Sequence, residues 1–302
     1  MTLASDALID RRRLKRQMVW WRLAALLAVL VAGLIAVFRY DDDLPFAGDR
    51  IARLNIEGPI MEDRELERVL RRLAEDDRVR AVMVRINSPG GSTYGGETLY
   101  RGLRRIGERK PVVAVIGTLG ASAGYLIALA GDRIWARETS LTGSIGVIMQ
   151  TGEISGLLEK LGITAESLTS GRLKDEPSLT RRLSPEGRAV LLATIERTHD
   201  WFVGLVAERR QMPRDQAGRL ATGQIYTGTQ ALEVRLIDEL GGEEEALAWL
   251  STARGISRDL PVRTVRFGEQ VEGWADFGAR MFRKVVAAER LNLDGLMSVW
   301  QP

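Results

Sequence analysis

Three short runs of apolar and β-branched residues, Ile51–Ile56, Ala81–Ile86 and Val112–Ile116, constrain this chain most. Segments of helical length and pattern lie between them, at Glu62–Asp76 and Glu97–Ile106. Runs this short, with β-branched residues, read as strands. A strand–helix–strand–helix order predicts an α/β protein with a largely parallel sheet and flanking helices. Further along, the pattern predicts a small-residue helix at Ala121–Ala130 and a helix at Glu153–Leu161. A strand at Gly162–Leu168 and a long amphipathic helix at Pro185–Arg210 follow. After Ile237 the signal weakens, to a helix near Glu243–Leu250, a strand near Val262–Phe267 and an amphipathic helix near Phe277–Leu293.

The N-terminal end has a different character. Arg11, Arg12, Arg13, Lys15 and Arg16 precede an apolar stretch, and Leu23–Phe38 contains no charge. As a helix, Leu23–Phe38 is about 24 Å long. Met18 to Trp21 extend it, and Arg22 lies near enough to the end to snorkel, so 18–38 can span a bilayer of about 30 Å. Asp41, Asp42 and Asp43 follow the span. The positive-inside rule then puts residues 1–17 in the cytoplasm and the remainder outside, in the periplasm of an inner-membrane protein. A cleaved signal peptide is the alternative, but the run is long and no small-x-small site precedes Arg39. The expected organisation is a basic segment 1–17, an anchor 18–38, a linker 39–49 containing Pro45 and Gly48, and one domain over 50–302.

Composition narrows the chemistry. The chain has no cysteine, which excludes thiol catalysis and thiolate metal sites. It has one histidine, His199, so a zinc site of two or three imidazoles is impossible. Its 43 basic residues include only the lysines at 15, 110, 160, 174 and 284, and arginine cannot lose its proton in a protein. Few residues can therefore serve as an amine base. A net charge of +3 with a pI near 9.4 reflects an arginine-rich chain with a basic end, and no nucleic-acid-binding stripe is expected.

Three glycine-rich loops follow apolar runs: Asn87–Ser92, Gly117–Tyr125 and Leu141–Val147. Sites in α/β sheets gather at the carboxyl ends of strands, and glycine lets backbone approach a ligand closely. Ser122 sits where strand and turn give way to a helix. There it is either an ordinary N-cap or an exposed nucleophile beside backbone N–H groups that can hold an oxyanion. Gly91 is the natural second donor. The base would be His199, inside the long helix, or Lys174, which follows a run expected to be a strand. Ser144 can hydrogen-bond a neutral lysine amine, or be a simple turn serine.

Four segments occur together and in order: Ser88-Pro89-Gly90-Gly91, Ala121-Ser122-Ala123-Gly124-Tyr125, Leu141-Thr142-Gly143-Ser144-Ile145-Gly146-Val147 and Ser170-Gly171-Arg172-Leu173-Lys174-Asp175. Together they resemble the short form of the bacterial signal peptide peptidases (SppA type), which share the Clp protease and crotonase fold. The likeness runs from about Ile51 to Gly242. It implies a Ser/Lys dyad with Ser122 as nucleophile, Lys174 as base, Ser144 orienting the lysine, and the N–H groups of Gly91 and Ala123 as oxyanion hole. It departs at Ala123, where the family often has glycine. The resemblance further implies a serine endopeptidase acting on signal peptides or other short unfolded peptides, with no metal or other cofactor. It also implies a ring-like homo-oligomer with each dyad completed between subunits. A crotonase-like acyl-CoA enzyme and a non-catalytic membrane scaffold are the rival readings.

Overall fold

A computed structural model describes residues 20–27, 48–265 and 267. Residues 20–27 form helix α1. They fall within the expected anchor; the rest of that segment and the expected helix at Phe277–Leu293 lie outside the described residues. No described helix is long and apolar enough to cross a membrane. The chain divides into two units between Gly48 and Asp49.

The second unit is built on three strands, β1 (Arg50–Glu57), β2 (Val79–Ser88) and β3 (Val112–Ala121). They pair in parallel, with Leu54 beside Val84 and Val84 beside Ala114. Their side chains alternate between two buried clusters. Leu54, Val84, Ile86, Ala114 and Ile116 enter the larger one, while Ile51, Met83, Val113 and Val115 enter the other. Both faces are covered, so the strands read as continuous apolar runs rather than as alternating ones.

The crossovers are helices with clear start signals. Helix α2 (Arg64–Glu75) begins at Asp63, whose Oδ1 accepts from the N–H of Glu65 and Leu66. Its apolar stripe, Leu66, Val69, Leu70 and Leu73, is buried on the sheet. Helix α3 (Thr93–Gly107) begins four residues earlier than its apolar pattern predicts. Gly95 and Gly96 hide that start, since each glycine costs a helix about 1 kcal/mol. They are accommodated because Met61 and Ala123 pack against them too closely for a side chain.

Beyond β3 come α4 (Ala123–Ala128), β4 (Arg133–Ala136), β5 (Leu141–Gly143), α5 (Ser155–Lys160), α6 (Pro185–Arg209) and α7 (Arg214–Leu220). The remaining elements are β6 (Ile225–Thr227), α8 (Gly228–Glu233), β7 (Glu239–Leu240), α9 (Glu243–Arg254) and β8 (Val262–Val265). The main path of the sheet runs β6-β5-β3-β2-β1-β8, and only β5–β6 is antiparallel. Strand β3 serves two partners in succession: Val113–Ile116 pairs with β4, and Leu119–Ala121 pairs with β5. Helix α9 covers the second face of the sheet with Ala246 and Leu250.

The strand expected at Gly162–Leu168 does not form. The segment is exposed throughout and joins no ladder, and Leu168 stands 91% exposed. Strand β3 already has β4 and β5 as partners, so the run gains no strand edge there.

Candidate active site

Ser122 lies at the corner between β3 and α4. Its backbone has φ 52 and ψ −119, a conformation that costs a non-glycine residue about 1–3 kcal/mol. Neighbouring bonds hold it there: its N–H donates to Gly143 O at 2.9 Å, and its own carbonyl accepts from Leu126 N–H at 2.9 Å. Although Ser122 occupies the N-cap position, its hydroxyl makes no capping bond. The simple N-cap reading therefore fails, and the hydroxyl remains half-buried at the mouth of a cleft.

The loop after β2 closes one side of this corner. Gly90 has φ +106, and an added Cβ would lie 2.8 Å from Ser122 Cβ and 3.0 Å from Ala121 O. Only glycine combines that backbone with so close an approach. Buried Ser88 shapes the loop by donating from Oγ to Gly58 O at 2.7 Å and accepting from Gly90 N–H at 3.1 Å. Beyond it, Gly91 bridges in parallel to Ile60 through bonds made by Gly90 O and Ser92 N–H. In an extended segment the N–H of the middle residue points to the opposite edge. Ala123 N–H begins a helix and has no intrahelical acceptor. Gly91, Ser122 and Ala123 line the same open cleft.

Tyr125 anchors the short helix beneath the serine. It is fully buried and donates to Leu236 O at 2.7 Å. Burial pushes its hydroxyl well above the ordinary phenol range, so it remains a donor at working pH. Thr142, also buried, donates to Gly120 O at 2.7 Å and locks β5 onto β3. That pairing sets Gly143 beside Ala121, the last pair of the ladder, and Ser144 and Ser122 are the residues that follow it in the two segments. Ser144 is half-buried with φ 49, and its N–H donates to Gln224 O at 2.7 Å.

Lys174 is placed differently. It sits exposed on a turn, its N–H donating to Gly171 O at 3.0 Å, and it does not line the Ser122 cleft of its own chain. Asp175 accepts from Arg181 at 3.3 Å. His199 is outside the cleft too: its Nε2 lies 2.8 Å from Ala221 O, which ties α6 to the loop before β6. Gly146 and Val147, from the third glycine-rich loop, also line the cleft, but the sequence pattern missed its far wall, formed by Thr198, Trp201 and Phe202 of α6. The adjacent aromatic pair in that helix was the available signal.

Comparison with known proteins identifies the family. Peptidase family S49 matches residues 104–257. A Synechocystis sp. protein described as a candidate protease is 38% identical over 212 residues, 70% of this chain and 76% of that one. A candidate signal peptide peptidase SppA of Enterococcus faecium is 38% identical over 179 residues, 59% of this chain and 52% of that one. Protease 4 of Haemophilus influenzae is 31% identical over 247 residues, 75% of this chain and 40% of that one. The chain thus spans about half or less of the last two. Among solved structures, a ClpP1 mutant from Listeria monocytogenes superposes with a TM-score of 0.42 at 16% identity, covering 64% of this chain and 92% of that one. The chain belongs to peptidase family S49 and is a serine peptidase of the signal peptide peptidase type.

Proposed function

We propose that this chain is a membrane-anchored endopeptidase with a Clp protease/crotonase-like fold that degrades signal peptides left in the membrane, and other short unfolded peptides. The observation that carries this reading is the corner at Ser122. A hydroxyl free of capping duty faces a cleft beside two backbone N–H groups, on Gly91 and Ala123. Lys174, as a neutral amine oriented by Ser144, takes the Ser122 proton as Oγ attacks the peptide carbonyl. The two N–H groups hold the oxyanion. The lysine then returns its proton to the leaving amine, and water releases the acyl group from Ser122.

In this reading Lys174 reaches the cleft of a neighbouring subunit. The segment around it supports that arrangement, because Ile148 (79% exposed), Leu157, Leu161, Ile163, Leu168 and Leu179 all stand exposed. Exposed apolar side chains in this number suit burial against a second copy. The basic segment before 18–38 and the aspartates after it favour an inner-membrane anchor with the catalytic unit in the periplasm.

The test is hydrolysis of a synthetic signal peptide by the purified full chain, with Ser122→Ala as control and a panel of acyl-CoA thioesters as competing substrates. Cleavage of the peptide that is lost in Ser122→Ala supports the proposal. Turnover of acyl-CoA alone would favour the crotonase-like reading, and no turnover of either would favour a scaffold.

A further inference from the structure

Glu176 is a buried carboxylate that the proposed chemistry leaves without a role. Its side chain is 5% exposed, and Oε2 has no hydrogen-bond partner. Oε1 lies 3.4 Å from Ser184 N–H, at the cap of α6, and 3.9 Å from Arg181. The carboxylate rests directly on the first turn of that helix. A Cβ added to Gly187 would lie 2.8 Å from its Cδ and 2.9 Å from its Oε2. Burying a charged group is costly, and the N-terminal end of a 25-residue helix offsets part of that cost with its partial positive charge.

Two other contacts tie the same turn to α6 and the residues before it. Arg172 donates to Glu186 at 2.5 and 2.6 Å, and Arg181 donates to Asp175. Both pairs involve well-exposed arginines, and exposed pairs fix a turn weakly. Glu176 alone is buried, and it lies two residues from Lys174. We propose that Glu176 is the positioning residue for the catalytic lysine: its carboxylate, seated on the space left by Gly187, fixes the Lys174 turn to α6. The inference rests on Lys174 being the base.

The experiment measures kcat and KM on a peptide ester, and the rate at which a fluorophosphonate labels Ser122, in the full-length protein. The variants are Glu176→Gln, Glu176→Ala and Gly187→Ala, with Glu176→Ala and Glu176→Gln also made in a Lys174→Ala background. Displacing a reacting group by about 1 Å costs on the order of a hundredfold. Glu176→Ala and Gly187→Ala are therefore expected to lower kcat about ten- to a hundredfold with KM within about twofold. Glu176→Gln keeps the shape and an acceptor for Ser184 N–H, so it falls less. In the Lys174→Ala background the substitutions at 176 leave the residual labelling rate unchanged, because the lysine they act through is gone. If Glu176→Ala fails to fold, the isosteric Glu176→Gln carries the comparison in both backgrounds. Wild-type kcat in the variants at 176 and 187, with Lys174→Ala inactive, overturns the positioning role alone. An equal loss in both backgrounds makes Glu176 merely structural. A fully active Lys174→Ala overturns the dyad as well.

Discussion

Co-expression of Ser122→Ala and Lys174→Ala chains tests the subunit arrangement. Each variant lacks one half of the proposed dyad, and loss of a general base or nucleophile costs about 10²–10⁴ in rate, so each alone should be nearly inert. Lys174 stands exposed outside its own chain's cleft. If it serves a neighbour, a mixed oligomer regains a competent site wherever an intact Ser122 meets an intact Lys174 from the next chain. With equal amounts and random order, each condition holds for half the chains, so about a quarter of the sites become active. That is at least about 25-fold above a parent that retains 1% of the rate. Different affinity tags on the two chains, with tandem purification, isolate the mixed oligomers, and peptide-ester turnover per chain gives the readout. A mixed preparation no faster than its parents would refute completion of the dyad between subunits.

Lys174→Arg keeps the charge but cannot give up a proton, so its kcat/KM should fall nearly as far as that of Lys174→Ala. His199→Ala loses only the bond to Ala221 O and should keep most of its turnover in the same peptide-ester assay. Tyr125→Phe leaves the buried Leu236 carbonyl without its donor, a loss of about 1–3 kcal/mol. Thermal unfolding followed by circular dichroism should show a Tm lowered by about 2–4 °C for each kcal/mol.

The central strands were legible because their residues are apolar on both faces, which leaves little else for Ala81–Ile86 or Val112–Ile116 to become. The corner at Ser122 was legible from small residues following such a strand. Strands β4, β5, β6 and β7 were not, because two to four residues carry no period. Gly162–Leu168 misled for the opposite reason: its apolar residues have the composition of a strand, but they lie exposed, with no strand to pair with. The cleft wall at Trp201 and Phe202 was hidden inside a helical pattern. Those positions reach the site only because α6 and α4 line one cleft, a tertiary fact that spacing along one helix does not contain. Glu176 was hidden likewise, since its burial depends on Gly187, eleven positions away in the chain.

Covalent labelling of the full-length protein by a fluorophosphonate, read by peptide mass mapping, bears most directly on the account. The predicted result is one phosphonylated residue, Ser122, with labelling abolished in Ser122→Ala and slowed by about 10²–10⁴ in Lys174→Ala. Labelling at another serine, or at Ser122 with undiminished rate in Lys174→Ala, would contradict it.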